Sequence, residues 1–380
     1  MARVNHLKHS LGTLFPQPAE VGLFQPMIEQ MNGGVVSALT IDVEDYFQVS
    51  GFEDVIPRAS WDRLEGRVER NTEQLLEILA DCRVTATFFI LGWTAERYPQ
   101  LVRRIQAAGH ELACHSYSHR LVYQCTPNEF REDTRRAKRL VEDLTGEPVI
   151  GYRAPSFSIT RKSLWALEIL AEEGFQYDSS VFPVFRDRYG IPTAPRYPYR
   201  ILLGDSRASV IESVESIELL SGKTAGSRPR ERGAALSRGG QLAASGSDVT
   251  QQLNKSIDSK DSTDSKDSIV EFPPSTLRLL GVNLPFGGGG YLRLFPEWAF
   301  QRAVKHIIEF EQGPAILYIH PWELDTEQPR LRNGSWLSRF RQYVNLKKTE
   351  RRLKTLLARW RFSSLRDLLT CLRDIPVRSI

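Results

Sequence analysis

Residues 35–47 read VVSALTIDVEDYF, and this stretch decides the fold. The run VSALTI has the apolar and β-branched content of a buried strand. Acidic residues follow at once, and an extended backbone sends Asp42 and Glu44 to one side with Val43 opposite. Two carboxylates directly after a buried strand are costly unless they pair or bind a cation. The stretch therefore predicts a strand that delivers acids to a site; an acidic loop that caps the next element is the alternative.

Strands and helices alternate along the rest of the first half of the chain. The predicted helices are NTEQLLEILADC (71–82, with Asn71 as N-cap), RYPQLVRRIQAAG (97–109), PNEFREDTRRAKRLVEDLTG (127–146) and TRKSLWALEILAEEG (160–174), and the predicted strands between them include TATFFILG (85–92) and HELACH (110–115). Such alternation indicates parallel βα units. Catalytic residues of these folds gather at the C-terminal ends of the strands. Asp42, His115, Arg153 and Asp178 fall at such ends.

The chain divides into five segments by composition. Residues 1–34 carry few periodic signals and predict a loosely ordered extension. Regular pattern covers 35–204, and 205–269 are rich in Ser, Asp and Lys, with too little apolar surface to offset the entropy of ordering, so we expect a disordered insertion. Structure resumes at 270–325. The final segment, 326–380, is basic and amphipathic and predicts helices packed on the domain, with peripheral membrane contact as the alternative.

Charge and hydropathy narrow the class of protein. The 380 residues are 41% hydrophobic and carry a net charge of +4. A nucleic-acid binder usually concentrates its basic residues on one face, and no motif of that kind is present, so we expect no nucleic-acid partner. The first thirty residues lack the apolar core of a signal peptide, and no run reaches the roughly 18 apolar residues of a membrane span. These features predict a soluble, cytoplasmic protein.

A pair of histidines follows the strand HELACH. His115 and His119, in HSYSH, are four residues apart and would share one face if the segment turned helical. Two imidazoles and a carboxylate are a plausible ligand set for a catalytic divalent ion, with open positions for water. A second carboxylate nearby could accept a proton from that water, which would serve hydrolysis of an amide or ester. Two unrelated surface histidines are the alternative.

The order of five short motifs resembles that of the NodB-homology polysaccharide deacetylases. The motifs are TIDVED, HSYSH, GYRAPS, YDSS and LYIHP, and the resemblance covers about residues 35–204 and 270–325. The segments PRYPYRI and STLRLLGVNLPFGGGGYLR are similar to a subgroup encoded beside bacterial exopolysaccharide and exosortase loci. The resemblance implies an α/β fold: a distorted (β/α) barrel with fewer than eight strands and a C-terminal extension. It also implies a divalent metal cofactor, with zinc the expected ion.

The resemblance also implies roles for individual residues. Asp42 matches the catalytic base, Glu44, His115 and His119 the metal ligands, Arg153 the residue that orients the base, and His320 the general acid. Because Val43 splits the usual acidic pair, Asp45 is the alternative to Glu44 as ligand. We further expect a backbone N–H at Ser156 to stabilise the oxyanion and Asp178 to keep His320 charged. Tyr291 and Trp322 are candidates for stacking on a sugar ring, although large aromatics are more often core.

The expected activity is removal of N-acetyl groups from an amino-sugar unit of an exopolysaccharide or its precursor, so the expected partner is an N-acetylated oligo- or polysaccharide. Two other functions remain open. One is hydrolysis of a small cyclic amide or ureide with the same fold and metal. The other is a non-catalytic scaffold in a polysaccharide assembly complex, which the long polar insertion alone favours.

Overall fold

The computed structural model describes residues 36–203, 268–331, 334–372 and 375–378. The predicted extension 1–34 lies outside these ranges, as does nearly all of the predicted insertion 205–269. The strand that follows the gap begins at Ser268, slightly before the predicted end of the insertion.

Strands and helices alternate in the described residues as the sequence predicts. The strands are β1 (Ser37–Val43), β2 (Thr87–Ile90), β3 (Glu111–Cys114), β4 (Gly151–Tyr152), β5 (Tyr177–Asp178), β6 (Tyr199–Leu202), β7 (Ser268–Glu271), β8 (Thr276–Leu279), β9 (Val282–Pro285), β10 (Ile316–Ile319), β11 (Phe362–Ser363) and β12 (Val377–Arg378). The helices are α1 (Val68–Cys82), α2 (Gly92–Arg97), α3 (Pro99–Ala107), α4 (Pro127–Thr145), α5 (Trp165–Glu172), α6 (Gly289–Leu294), α7 (Glu297–Lys305), α8 (Trp336–Tyr343), α9 (Thr349–Arg359) and α10 (Leu365–Cys371).

The main sheet is parallel along the path β10-β1-β2-β3-β4-β5-β7. The chain that leaves β7 then reaches back to the other edge, where Ser275 donates its N–H to the carbonyl of Ile316 (3.0 Å) and Ile316 donates to Ser275 Oγ (2.8 Å). These bonds close the sheet into a distorted barrel with seven parallel strands among the described residues. The expected fold class is confirmed. Two edge strands lie outside the parallel path: β6 runs antiparallel to β7, and β12 pairs with β6.

The C-terminal extension is part of the barrel core rather than a set of helices on its surface. Leu365 and Leu368 of α10 are fully buried and pack in the cluster that fills the barrel. Leu365 donates its N–H to Thr87 Oγ1 (2.7 Å), and Arg366 donates its N–H to Glu111 Oε2 (2.9 Å). Because Thr87 and Glu111 begin their strands, α10 lies at the N-terminal end of the barrel. The extension also supplies β11, which pairs with the start of β1.

The structure leaves α9 no free apolar face for a membrane. Leu353, Leu356 and Leu357 are all buried, so the burial of this helix does not support the alternative of membrane contact. In the ranges that the structure covers, no helix combines the length and the apolar character needed to cross a bilayer.

The start of α1 differs from the prediction. The helix begins at Val68, so Asn71 lies inside it and is not its N-cap. The N–H groups of Arg67 and Val68, which have no partner within the helix, are instead bound by Asp45 Oδ2, at 2.6 and 3.0 Å. A carboxylate 22 residues upstream caps the helix, and local sequence cannot reveal such a cap.

We expect Leu368→Ala to lower the free energy of unfolding by about 2–5 kcal/mol, because it opens a cavity in the core at the N-terminal end of the barrel. Leu337→Ala, at a position that is 45% exposed, is the matched control and should change it by less than about 0.5 kcal/mol. Urea denaturation measures both. Equal small effects would show that α10 is not part of the cooperative core.

Candidate active site

Three predicted metal ligands meet at the C-terminal end of the barrel. Glu44 follows β1, and its Oε1 lies 2.8 Å from Nε2 of His115 and 2.8 Å from Nε2 of His119. The three side chains are buried, and the group has the composition and spacing of a metal-binding cluster. Burial alone would raise the pKa of Glu44, but the adjacent His119 and His115 hold it well below its usual range.

The tautomer of His115 favours a cation in this cluster. Its Nδ1 lies 2.8 Å from the carbonyl oxygen of Arg153, and a carbonyl can only accept, so Nδ1 carries the proton. In the neutral ring, Nε2 then presents a lone pair to the carboxylate of Glu44. Two acceptors at 2.8 Å need a proton or a metal ion between them. The residues therefore fit a divalent ion, as a ligating histidine usually donates its other N–H to a carbonyl or carboxylate.

The histidine pair comes together through a bend and not through the helical turn that its spacing suggested. Ser116 and His119 have positive φ angles of 62° and 54°. Asp133 of α4 holds the bend by accepting the N–H groups of Tyr117 (2.7 Å) and Ser118 (3.2 Å). From the other side, Arg58 donates to the carbonyls of Ser118 and His119, each at 2.7 Å. The sequence analysis missed Arg58 and Asp133, which lie outside the motifs.

Asp45, the alternative ligand, points away from the cluster. Its carboxylate caps α1 and also accepts the N–H of Tyr46 (2.9 Å). Burial, against these backbone hydrogen bonds, raises its pKa to about 6. The structure thus places Glu44, and not Asp45, beside the two histidines, and the role of Glu44 as metal ligand stays a prediction.

Asp42 lies beside the cluster and is fixed by a fully buried guanidinium. Arg153 donates from Nη1 to Asp42 Oδ1 (2.7 Å) and to Thr40 Oγ1 (2.8 Å), and from Nη2 to Ser179 Oγ (2.8 Å). The other carboxylate oxygen, Oδ2, lies 3.8 Å from Nε2 of His320. The predicted base, its orienting arginine and the predicted general acid are therefore neighbours.

The carboxylate that supports His320 is Glu323, and our assignment of that role to Asp178 was wrong. Glu323 Oε2 lies 3.4 Å from Nδ1 of His320 and accepts its backbone N–H at 3.0 Å. Burial alone would lower the pKa of His320, but the hydrogen bond with Glu323 and the charges of Glu44, Glu323 and Asp42 raise it to about 9. The histidine is thus protonated at neutral pH. The capping turn Pro321–Leu324 brings Glu323 back to it.

Asp178 instead belongs to a buried pair of carboxyl groups. It is paired in register with Glu271 of the neighbouring strand, and it accepts a hydrogen bond from Ser180 Oγ at 2.5 Å. Burial raises the pKa of Asp178 to about 6, and burial with the charge of Asp178 raises that of Glu271 well above its usual range. The reason for the misassignment is that β5 directs Asp178 toward Glu271, a residue no motif includes.

The remaining candidates have different environments. Ser156 is partly exposed in the turn after Arg153, with a left-handed φ of 54°, and its hydroxyl bonds to Ser50. Tyr291 is partly buried, with its ring 5.8 Å from that of Phe295. Trp322 is 5% exposed and its ring stacks on His320 at 5.3 Å, so it has no open face for a sugar. The stacking role of Trp322 is therefore wrong, because the turn that carries Glu323 turns this ring into the core.

Comparison with known proteins gives matches to two family models, each over part of the chain. Residues 54–177 match a family model described as polysaccharide deacetylase, and residues 250–370 match one described as a domain of unknown function, DUF3473. Residues 54–177 are therefore similar to the polysaccharide deacetylases, the family that the motifs resemble. Membership of the exopolysaccharide and exosortase subgroup stays a prediction.

Individual relatives cover parts of the chain. It is 29% identical to a peptidoglycan deacetylase of Helicobacter pylori, over 38% of this chain and 44% of the relative. The chain is also 30% identical to a chitooligosaccharide deacetylase of Bradyrhizobium sp., over 26% of this chain and 43% of the relative. The chain thus spans less than half the length of these curated relatives. The crystal structure of a Mycobacterium smegmatis protein, described as a candidate polysaccharide deacetylase, has a TM-score of 0.51 at 18% identity, covering 90% of this chain and 92% of that one, and shares the fold.

Substitutions of the adjacent acids Glu44 and Asp45 should affect the affinity for zinc differently. We expect Glu44→Gln to weaken zinc binding more than about tenfold, because a neutral amide replaces the charged carboxylate that faces both imidazoles. Asp45→Asn should keep the affinity within about threefold and lower the melting temperature, because it weakens the cap of α1. Isothermal titration with zinc measures the affinities, and calorimetric melting measures the stability. The reverse pattern would make Asp45 the ligand.

The buried pair Asp178–Glu271 should make stability depend on pH. A raised pKa means that the folded chain holds these protons more tightly than the unfolded chain, so the free energy of unfolding falls as pH rises from about 4 through 6. Glu271→Gln should reduce that fall, whereas the exposed Glu309→Gln should keep the wild-type profile. Urea denaturation across pH 4–8 tests this, and an unchanged slope in Glu271→Gln would contradict it.

Proposed function

We propose that this chain is a metal-dependent deacetylase that removes N-acetyl groups from an amino-sugar unit of an exopolysaccharide or its precursor. One observation carries the proposal. The cluster of Glu44, His115 and His119, the carboxylate of Asp42 and the imidazole of His320 all lie at the same end of the barrel, with Asp42 within 3.8 Å of His320. A ligand set, a base and an acid are the groups that amide hydrolysis needs.

A divalent ion bound by Glu44, His115 and His119 would supply Lewis-acid polarisation of the acetyl carbonyl. Zinc is the ion we propose, because two imidazoles and one carboxylate form a set that leaves an open position in catalytic zinc sites. The chain itself prepares the ligands: the carbonyl of Arg153 fixes the tautomer of His115, and Arg58 and Asp133 fix the bend that carries His119.

Asp42 is the proposed base that takes a proton from the attacking water. Arg153 binds Oδ1 and leaves Oδ2 directed to the side where His320 lies. Because Arg153 is completely buried and also bound to Thr40 and Ser179, the carboxylate cannot rotate freely. A base held in one orientation loses less entropy in the transition state.

His320 is the proposed general acid. An amine leaves poorly as an anion, so a proton must reach the sugar nitrogen as the C–N bond breaks. The hydrogen bond with Glu323 raises the pKa of His320 against the effect of burial, which favours the protonated imidazole that a general acid needs. The backbone N–H of Ser156 is the proposed oxyanion donor, and Tyr291 the proposed sugar contact.

The named relatives support an acetylated saccharide as substrate, since they are deacetylases of peptidoglycan and of chitooligosaccharides. The choice of an exopolysaccharide unit rests on the similarity of the segments after residue 270 to the exopolysaccharide-associated subgroup. The cytoplasmic location stays a prediction. A non-catalytic scaffold would be expected to have lost the base or a metal ligand. The presence of the candidate ligands, base and acid argues against that alternative.

Acetate release from N-acetylglucosamine oligomers tests the proposal. The zinc-loaded protein should release acetate, and a chelator should abolish the release until zinc is restored. Asp42→Asn should keep bound zinc but lose at least about 100-fold in kcat, because it removes the base alone. Hydrolysis of a cyclic ureide without acetate release would favour the amidohydrolase alternative. Bound zinc with no hydrolysis of any acetylated saccharide or ureide would favour the scaffold.

A further inference from the structure

A second fully buried arginine lies behind the proposed general acid. Arg293 of α6 is 1% exposed and donates from Nε to Glu323 Oε1 at 3.0 Å, and its Nη2 lies 2.9 Å from the same oxygen. Glu323 has its other oxygen, Oε2, directed to His320. Burial alone would raise the pKa of Glu323, but Arg293 and His320 lower it. The three side chains form a line of alternating charge: Arg293, Glu323, His320.

Arg293 is itself fixed by the C-terminal end of α8. Its Nη1 donates to the carbonyls of Gln342 (3.1 Å) and Val344 (2.9 Å), and its Nη2 donates to that of Arg341 (3.0 Å). The last carbonyls of a helix have no partner within the helix and carry partial negative charge. These carbonyls hold the guanidinium in one place. A lysine could not replace it, because its single ammonium group lacks the planar set of donors with which Arg293 binds them.

The surroundings leave Glu323 no other position. A Cβ at Gly289 would lie 2.0 Å from Glu323 Oε2, so the carboxylate fits only because residue 289 is glycine. Trp322 stacks on His320, and the guanidinium of Arg293 lies 5.3 Å from the centre of the same indole ring. The carboxylate is therefore enclosed by the glycine backbone, the guanidinium and the imidazole.

We propose that Arg293 is a positioning residue for the general acid: anchored by the end of α8, it holds Glu323 as the partner that orients and charges His320. This inference rests on the proposed function. It gives the region described as a domain of unknown function a task in the chemistry, because His320, Glu323, Arg293 and α8 all lie within residues 250–370. That region is then a part of the active site rather than a separate module.

A double-mutant cycle tests whether Arg293 acts through Glu323. Glu323→Gln and Arg293→Met are compared singly and together, with Arg196→Met as control. Arg196 forms a similar buried pair with Glu311, at 2.9 Å, away from the site. We expect each variant at Arg293 or Glu323 to lose at least about tenfold in kcat with little change in KM, since a general acid acts in the transition state. Adding Arg293→Met to Glu323→Gln should cost less than about threefold more.

A second readout does not depend on catalysis. NMR titration of His320 in the metal-free protein should show that Glu323→Gln lowers its pKa by at least about 1, because only Asp42 and Glu44 remain as facing acids. That effect should shrink when Arg293 is already methionine, and it should persist in Arg196→Met.

The outcomes separate the two proposals. If Arg293→Met costs the same factor with and without Glu323, or costs no more than Arg196→Met, the residue is only structural and the inference is wrong. If the wild type releases no acetate, the proposed function fails, and the NMR coupling alone decides: coupling between residues 293 and 323 supports the positioning role, and additive shifts in the His320 titration overturn it.

Discussion

The site depends on one buried residue, Arg153, which acts through both its side chain and its backbone. The guanidinium is completely buried in the barrel and binds Asp42, while the carbonyl oxygen of the same residue binds Nδ1 of His115. One residue thereby sets the orientation of the proposed base and the tautomer of a proposed metal ligand. A buried guanidinium is costly unless it is paired, and Arg153 also donates to Thr40 Oγ1, to Ser179 Oγ and to the carbonyl of Ser179. The desolvation cost of burying Arg153 is offset only when its partners are in place, and these lie on β1 and directly after β5.

The acidic and basic halves of the site come from different parts of the chain. The segment that matches the polysaccharide deacetylase model, 54–177, carries His115, His119 and Arg153. Asp42 lies on β1 and Glu44 directly after it, so both precede this segment, and His320 lies in the C-terminal region beyond the gap in the described residues. Because β10 pairs with β1, it places His320 next to the residues at the end of β1. The C-terminal region also closes the barrel and fills its N-terminal end, so the site and the core are completed by the same segment.

Local pattern predicted much of this arrangement, and long-range contacts account for what it missed. The alternation of strands and helices predicted parallel βα units, and the resemblance to the deacetylases implied the barrel. The acids after the first strand and the histidines after the third predicted which side chains would meet. The support of His320 was not predictable, because Asp178 and Glu323 are both acids near motifs and only the direction of the strand and turn distinguishes them. The position of Trp322 was not predictable either, because only the direction of the same turn decides whether its ring faces a sugar or the core. The cap of α1 by Asp45 joins residues far apart in the sequence. Arg58 and Asp133, which hold the bend that carries His119, lie outside every motif.

The central claim is that Glu44, His115 and His119 bind a divalent cation, and anomalous diffraction tests it most directly. Crystals of the protein grown with zinc should be measured on both sides of the zinc absorption edge. We predict an anomalous peak between Glu44 Oε1 and the two Nε2 atoms, present only above the edge, with Nδ1 of His115 still bonded to the carbonyl of Arg153. An empty map at this position, with the carboxylate bonded directly to protonated imidazoles, would contradict the claim.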